Sequence, residues 1–247
     1  MGRISSIWRL STATIIVLAA LGRSAHAGPP YVLDDPEPTD YRHFEIYAFE
    51  TGTAVRGATD IQAGIDFNYG GAPDLQLTAV LPITYSTPAG SASPIGFGNI
   101  ELAAKYRIVH QEDAVLDVAV FPRLFLPSGG EEQHVAFFLP IWAEKDWKDW
   151  SAFGGGGCEL NRGGGDRDFC IGGVVVTRRV AAGLRPGVEV YHRSPDVQGG
   201  RATTSVAAGV IYDLTETYHL LGYVGRGVQN ADETNQVTWY SSVLFTF

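Results

Sequence analysis

From residue 42 to the C-terminus, apolar and polar side chains alternate with a period of two. Ile61, Ala63, Ile65, Phe67 and Tyr69 alternate with Asp60, Gln62, Gly64, Asp66 and Asn68. Leu75, Leu77, Ala79, Leu81, Ile83 and Tyr85 are interleaved with Asp74, Gln76, Thr78, Val80, Pro82 and Thr84. Ile100, Leu102, Ala104, Tyr106 and Ile108 face away from Glu101, Ala103, Lys105 and Arg107, and Val237, Trp239, Val243, Phe245 and Phe247 from Thr238, Tyr240, Ser242 and Thr246. Successive side chains of a strand point to opposite faces, so each segment has one apolar and one polar face. A helical period of 3.6 persists nowhere for more than about one turn. Twelve strands are predicted, at 43–50, 58–69, 73–86, 97–109, 114–126, 135–147, 149–157, 168–178, 183–193, 203–213, 217–227 and 236–247.

The connections fall into two alternating kinds. Tight turns are expected at 70–72, 110–113, 146–149, 180–182 and 213–216, and longer Gly- and Ser-rich loops at 51–57, 87–96, 127–134, 158–167, 194–202 and 228–235. Short turns at one rim and long loops at the other match the periplasmic and extracellular ends of an outer-membrane barrel. A soluble sandwich would charge its polar face densely; here that face carries Thr, Gln, Asn, Gly and Ser with scattered charges. Trp142, Trp147, Trp150, Tyr212, Tyr218, Trp239 and Tyr240 fall near strand ends, where interfacial girdles sit. Unpaired strand edges are forbidden in lipid, so the strands must close. The expectation is an all-β fold, a closed antiparallel transmembrane β-barrel of about 12 strands over residues 42–247. It would stand in the lipid of the bacterial outer membrane as a monomer.

The N-terminus adds an address. Arg3 and Arg9 precede an apolar run from Ala13 to Leu21, and Ala25-His26-Ala27 follows. That order predicts a secretory signal peptide over 1–27. Its removal takes three arginines and no acids, changing the net charge of −9 to −12. Residues 28–41, GPPYVLDDPEPTDY, are Pro-rich and acidic and predict a disordered periplasmic lead-in; whether this segment enters the barrel is open. The acidic balance argues against a nucleic-acid partner. Thirty glycines without a Gly-X-Y period exclude a collagen-like chain. Two cysteines in an exported chain favour a disulfide, Cys158 with Cys170, at the base of an outer loop. The six histidines lie singly, without ligand spacing, so neither a metal nor another cofactor is expected. Phe247, with Phe245 and Val243 on its face, looks like the C-terminal signal read by the barrel-assembly machinery.

Gly96-Phe97-Gly98-Asn99-Ile100-Glu101-Leu102-Ala103-Ala104-Lys105-Tyr106-Arg107 resembles a motif of the outer-membrane transporter family named for the meta-cleavage pathway of phenol degradation. That motif is a Gly-rich turn, an acid, then a strand bearing Lys-Tyr. The strand from Leu75 to Tyr85 and Phe125-Leu126-Pro127-Ser128-Gly129 also resemble its pattern, and the similarity extends over 40–247. The resemblance implies an outer-membrane barrel that passes hydrophobic or aromatic compounds.

The candidate chemistry lies on the polar face. Asp66, Glu101, Lys105, Arg107, Asp117, Arg123 and Glu189 are the principal lumen-lining candidates, with Glu45, Asp60, Glu144, Arg185 and Arg193 on the same faces. Such charges either pair as a structural network or tune a pore, and one set can do both. His192-Arg193-Ser194 puts an imidazole and a hydroxyl on one face and resembles the motif of outer-membrane lipid hydrolases. Pro195 and Asp196 follow where those enzymes have Asn, and Thr203 to Val206 offer no Asn or Glu to orient the ring. Gly154 to Gly157 and Gly163 to Gly165 precede no helix, so they are not phosphate loops. Pro127 and Pro140 predict bulges or ladder breaks near the 127–134 loop, where a lateral opening would form. The reading is a channel for small apolar or aromatic molecules, with a lipid hydrolase or a non-conducting structural barrel as alternatives.

Overall fold

The computed structural model describes residues 30–87, 95–128 and 134–247. The expected signal peptide, 1–27, and residues 88–94 and 129–133 of the expected loops lie outside them. Twelve antiparallel strands are described: β1 (Phe44–Val55), β2 (Ala58–Ala72), β3 (Leu75–Thr87), β4 in two pieces (Ile95–Phe97 and Ile100–Val109) and β5 in two pieces (Asp117–Val120 and Arg123–Leu126). β6 (Ala136–Trp147), β7 (Trp150–Leu160), β8 (Phe169–Arg178), β9 (Leu184–Arg193), β10 (Thr203–Asp213), β11 (Tyr218–Gln229) and β12 (Val237–Thr246) follow. Each pairs with its neighbour in sequence, and β12 returns to pair with β1 from Glu45↔Thr246 to Ala54↔Val237. Phe44 and Phe247 exchange backbone hydrogen bonds of 2.7 and 3.1 Å at that seam, so the sheet has no free edge there. The expectation of a closed antiparallel barrel is met.

Burial is inverted relative to a soluble domain. Leu81 and Val224 are each 58% exposed on the outer wall, whereas Lys105 and Glu189 are 3% and 1% exposed inside. Only a lipid environment makes such a distribution stable. Trp147, Trp150, Tyr212 and Tyr218 are exposed at the end that holds the short turns, as a girdle requires. Trp142 and Tyr240 depart from the girdle expectation: both point inward, and Trp142 is 1% exposed.

Three further expectations are corrected. The first loop, expected over 51–57, is a two-residue turn at Arg56-Gly57, because β1 and β2 keep pairing to Val55↔Ala58. Pro127 ends β5, but Pro140 sits inside an unbroken β6. The interruption falls on the facing strand, at Phe121-Pro122, where two prolines leave the ladder short of N–H donors. Pro82 likewise faces the break at Gly98-Asn99 in β4. Cys158 and Cys170 are disulfide-bonded as a direct cross-strand pair of β7 and β8, so β7 runs on to Leu160 and the loop shrinks to 161–168.

Candidate functional site

The barrel interior is divided between two kinds of wall. β1 to β4 turn Glu45, Asp66, Asn68, Gln76, Thr78, Glu101 and Lys105 inward. From β5 to β12 the inward positions mix polar side chains such as Thr177, Ser205 and His219 with an apolar set, of which Phe121, Phe138, Trp142, Phe153, Val175, Tyr191, Tyr223 and Tyr240 form one cluster. Arg123 joins the two. Its Nε and Nη2 each donate to a Glu101 carboxylate oxygen at 2.7 Å, while its guanidinium lies 5.5 Å from the ring centres of Phe121 and Phe125 and 5.8 Å from that of Phe138. A bidentate pair fixes the fork, and the rings take its faces.

Between the walls lies a strap, residues 30–41. These residues were expected to hang disordered in the periplasm; instead they run through the lumen, with Pro30, Leu33 and Pro36 fully buried. The strap matches each wall with the complementary chemistry. Asp34 and Asp35 accept from Lys105 Nζ at 3.0 and 3.5 Å, and the Glu37 carbonyl accepts from the same nitrogen at 3.3 Å. The Thr39 N–H and hydroxyl both donate to Gln76 Oε1, at 2.9 and 3.1 Å. Gln76 Nε2 in turn donates to Asn68 and Thr78, and Asn68 Nδ2 to Asp66. On the other side, Tyr31 and Leu33 enter the aromatic cluster, and the Leu33 N–H donates to Glu189 Oε1 at 2.8 Å. Burial pushes the Asp35 carboxyl up to about 7, although Lys105 beside it pulls the other way.

The strap leaves at the short-turn end. Arg42, in the left-handed region (φ 68°), turns the chain into β1, and its N–H donates to the Gly70 carbonyl at 2.8 Å. A side chain at residue 70 would place its Cβ 2.0 Å from the Asp40 carbonyl oxygen, so only glycine lets the strap pass this close to the wall. A cavity of about 840 Å³ opens beside the strap at this end, lined by Glu37, Asp40, Glu45, Arg107, His219 and Phe247 among others. At the opposite end the 230–236 connection, with the short helix α1 (Ala231–Thr234), dips inward. Asn235 there is buried and donates through Nδ2 to Tyr191 Oη and Ser205 Oγ, both at 3.2 Å.

The seven principal candidates therefore separate. Asp66, Glu101, Lys105, Arg123 and Glu189 surround the strap or the walls it bridges. Arg107 and Asp117 lie lower, in a cluster with Asp74 of the β2–β3 turn: Arg107 Nε and Nη2 reach Asp74 Oδ1 at 3.1 and 3.0 Å, and its Nη1 lies 3.9 Å from Asp117. Glu144 accepts from the Ser151 hydroxyl, and Arg193 pairs with Asp196 at 3.1 Å. His192 and Ser194 are not assembled as base and nucleophile. His192 Nδ1 lies 2.9 Å from Thr204 Oγ1, and Ser194 Oγ accepts from the Cys170 N–H at 2.9 Å. Among the described residues no group of three or more His, Cys, Asp or Glu side chains is placed to hold a metal ion.

The architecture has known counterparts. An outer membrane channel from Pseudomonas putida F1 superimposes with a TM-score of 0.63 at 16% identity, over 85% of this chain and 99% of that one. The NanC porin matches with a TM-score of 0.55 at 10% identity, over 83% of this chain and 98% of its own. The β domain of the Bordetella autotransporter BrkA matches at 0.51 and 15% identity, over 84% and 100%. No protein-family model matches the sequence. Nor does any curated protein. The shared property is the fold, that of a barrel of the bacterial outer membrane.

Proposed function

We propose that the protein is a monomeric outer-membrane channel admitting small apolar or aromatic molecules. One observation carries the reading: a cluster of aromatic side chains from β5 to β12 lines part of the lumen, and what fills it is a strap held by side-chain and single backbone contacts rather than by a strand ladder. An interior meant only to be solid would be packed by strand side chains alone, as in small filled barrels. A strap can be withdrawn without breaking the barrel. No step requires a cofactor; passage is passive, and Arg123 with Glu101 holds the polar and aromatic walls in register. The sequence resemblance to a transporter family and the fold shared with an outer membrane channel support this reading.

The test is uptake of radiolabelled toluene by cells with and without the gene, paired with planar-bilayer recording of the purified protein. Faster uptake with the gene and discrete conductance steps are expected. A second reading, a barrel that never conducts, is favoured by the filling from both ends, with the strap on one side and Asn235 on the other. Its signature is a silent bilayer and equal uptake by both strains.

A further inference from the structure

Tyr31 sits in a built socket. Its ring lies 6.1 Å from that of Phe153 and 6.3 Å from that of Tyr223, nearly parallel to the latter at 19°. The floor is two inward positions paired across β9 and β10, Gly187 and Gly209. A Cβ on Gly187 would stand 2.4 Å from the Tyr31 hydroxyl oxygen, and one on Gly209 would stand 2.7 Å from Tyr31 Cε1. Any larger residue at either position would therefore occupy the space of the ring. The socket thus has aromatic walls and a bare backbone floor, the shape of a site for a flat six-membered ring. The buried Tyr31 hydroxyl has no hydrogen-bond partner among the described residues.

We propose that this socket is the binding site for the ring of the cargo, and that a single-ring aromatic hydrocarbon opens the lumen by displacing Tyr31. The inference rests on the channel reading and gives it a location, a chemical class and a trigger. Tyr31 is an internal stand-in for the cargo. It is anchored by ring contacts alone, whereas the next part of the strap is anchored by Glu189 and Lys105. A hydrocarbon ring makes the same contacts without burying an unpaired hydroxyl, which costs stability. The socket accordingly prefers toluene to phenol.

The full-length protein has no free thiol among the described residues, so Leu33→Cys, at a fully buried strap position, reports release of the strap through its maleimide-labelling rate. Toluene is expected to accelerate labelling about tenfold, the scale of replacing two ring–ring contacts. Hexane at equal concentration should leave the rate unchanged, and phenol should act no more strongly than toluene. Gly209→Val, which fills the socket, should give fast labelling without toluene and no further response to it. Val32→Cys repeats the measurement should Leu33→Cys itself loosen the strap. Equal effects of toluene and hexane, or an unaltered response in Gly209→Val, would overturn the inference. Labelling does not depend on conduction. A strap that toluene releases in a silent barrel refutes the channel reading alone; a conducting barrel whose strap ignores toluene refutes the socket alone.

Discussion

Lys105 is one cation facing two strap carboxylates, and that imbalance shapes how the lumen responds to change. Its cross-strand neighbour on β3 is Gln76, so no acid stands directly across that ladder from it. Lys105→Met leaves Asp34 and Asp35 without their counter-ion. Breaking a buried pair by removing one partner costs about 3 kcal/mol or more, roughly a hundredfold in the ratio of docked to free strap. Higher mean conductance, or faster protease cleavage within 30–41, checks this. The pH dependence has the opposite sign from that of an ordinary ion pair. The Asp35 carboxyl is raised from 3.8 to about 7, so the docked strap holds a proton that the free strap gives up. Docking is then most stable below the free value, and that contribution is lost as pH rises through about 7. Protease accessibility of the strap should rise from pH 5.5 to pH 8; a fall would contradict this. Asp34 remains to pair with Lys105 when Asp35 is protonated. The same lysine carried a legible signal, since an inward cation with no acid across the ladder needs a partner from elsewhere. Trp142 was legible too, sharing the parity of the inward Glu144; only its nearness to a strand end suggested a girdle.

The strands could be read because a two-sided wall forces a period of two on every stretch that crosses the membrane. β8, β9 and β10 begin and end within a residue of their expected limits. β1 and β7 run past theirs because backbone pairing continues beyond the lipid, where polarity no longer alternates. The strap was illegible for the complementary reason. A segment rich in proline and acid buries too little of its own surface to fold, and nothing local shows that a barrel will supply the surface. One element-level staple can be tested. Reducing the Cys158–Cys170 bond, or replacing both residues with serine, removes a closed loop of about a dozen residues. The expected cost is roughly 3 kcal/mol on the chain-entropy scale. A lower urea midpoint for the folded barrel, with unchanged heat-modifiable migration, is the outcome that fits. Gly70→Val tests the strap exit: the barrel should still close while the strap is exposed to protease, since the added methyls meet the Asp40 carbonyl.

At the scale of the molecule, a chain with 18% charged residues and a net charge of −9 holds many of its large apolar side chains outward and part of its acid excess inside. We propose that export trims the chain after Ala27, so that N-terminal sequencing of the membrane-embedded protein reads Gly28. Tyr31 would then be the fourth residue of the mature chain, close to a free end. A strap joined to β1 by one turn at Arg42 is also a ligand that can never be diluted away. Its effective concentration at the socket is fixed by that short tether, on the order of millimolar for flexible connections of this kind. Any molecule competing for the same space must overcome that constant local dose. The lumen would therefore respond to the amount outside as a threshold, staying shut at traces and yielding where the compound is abundant.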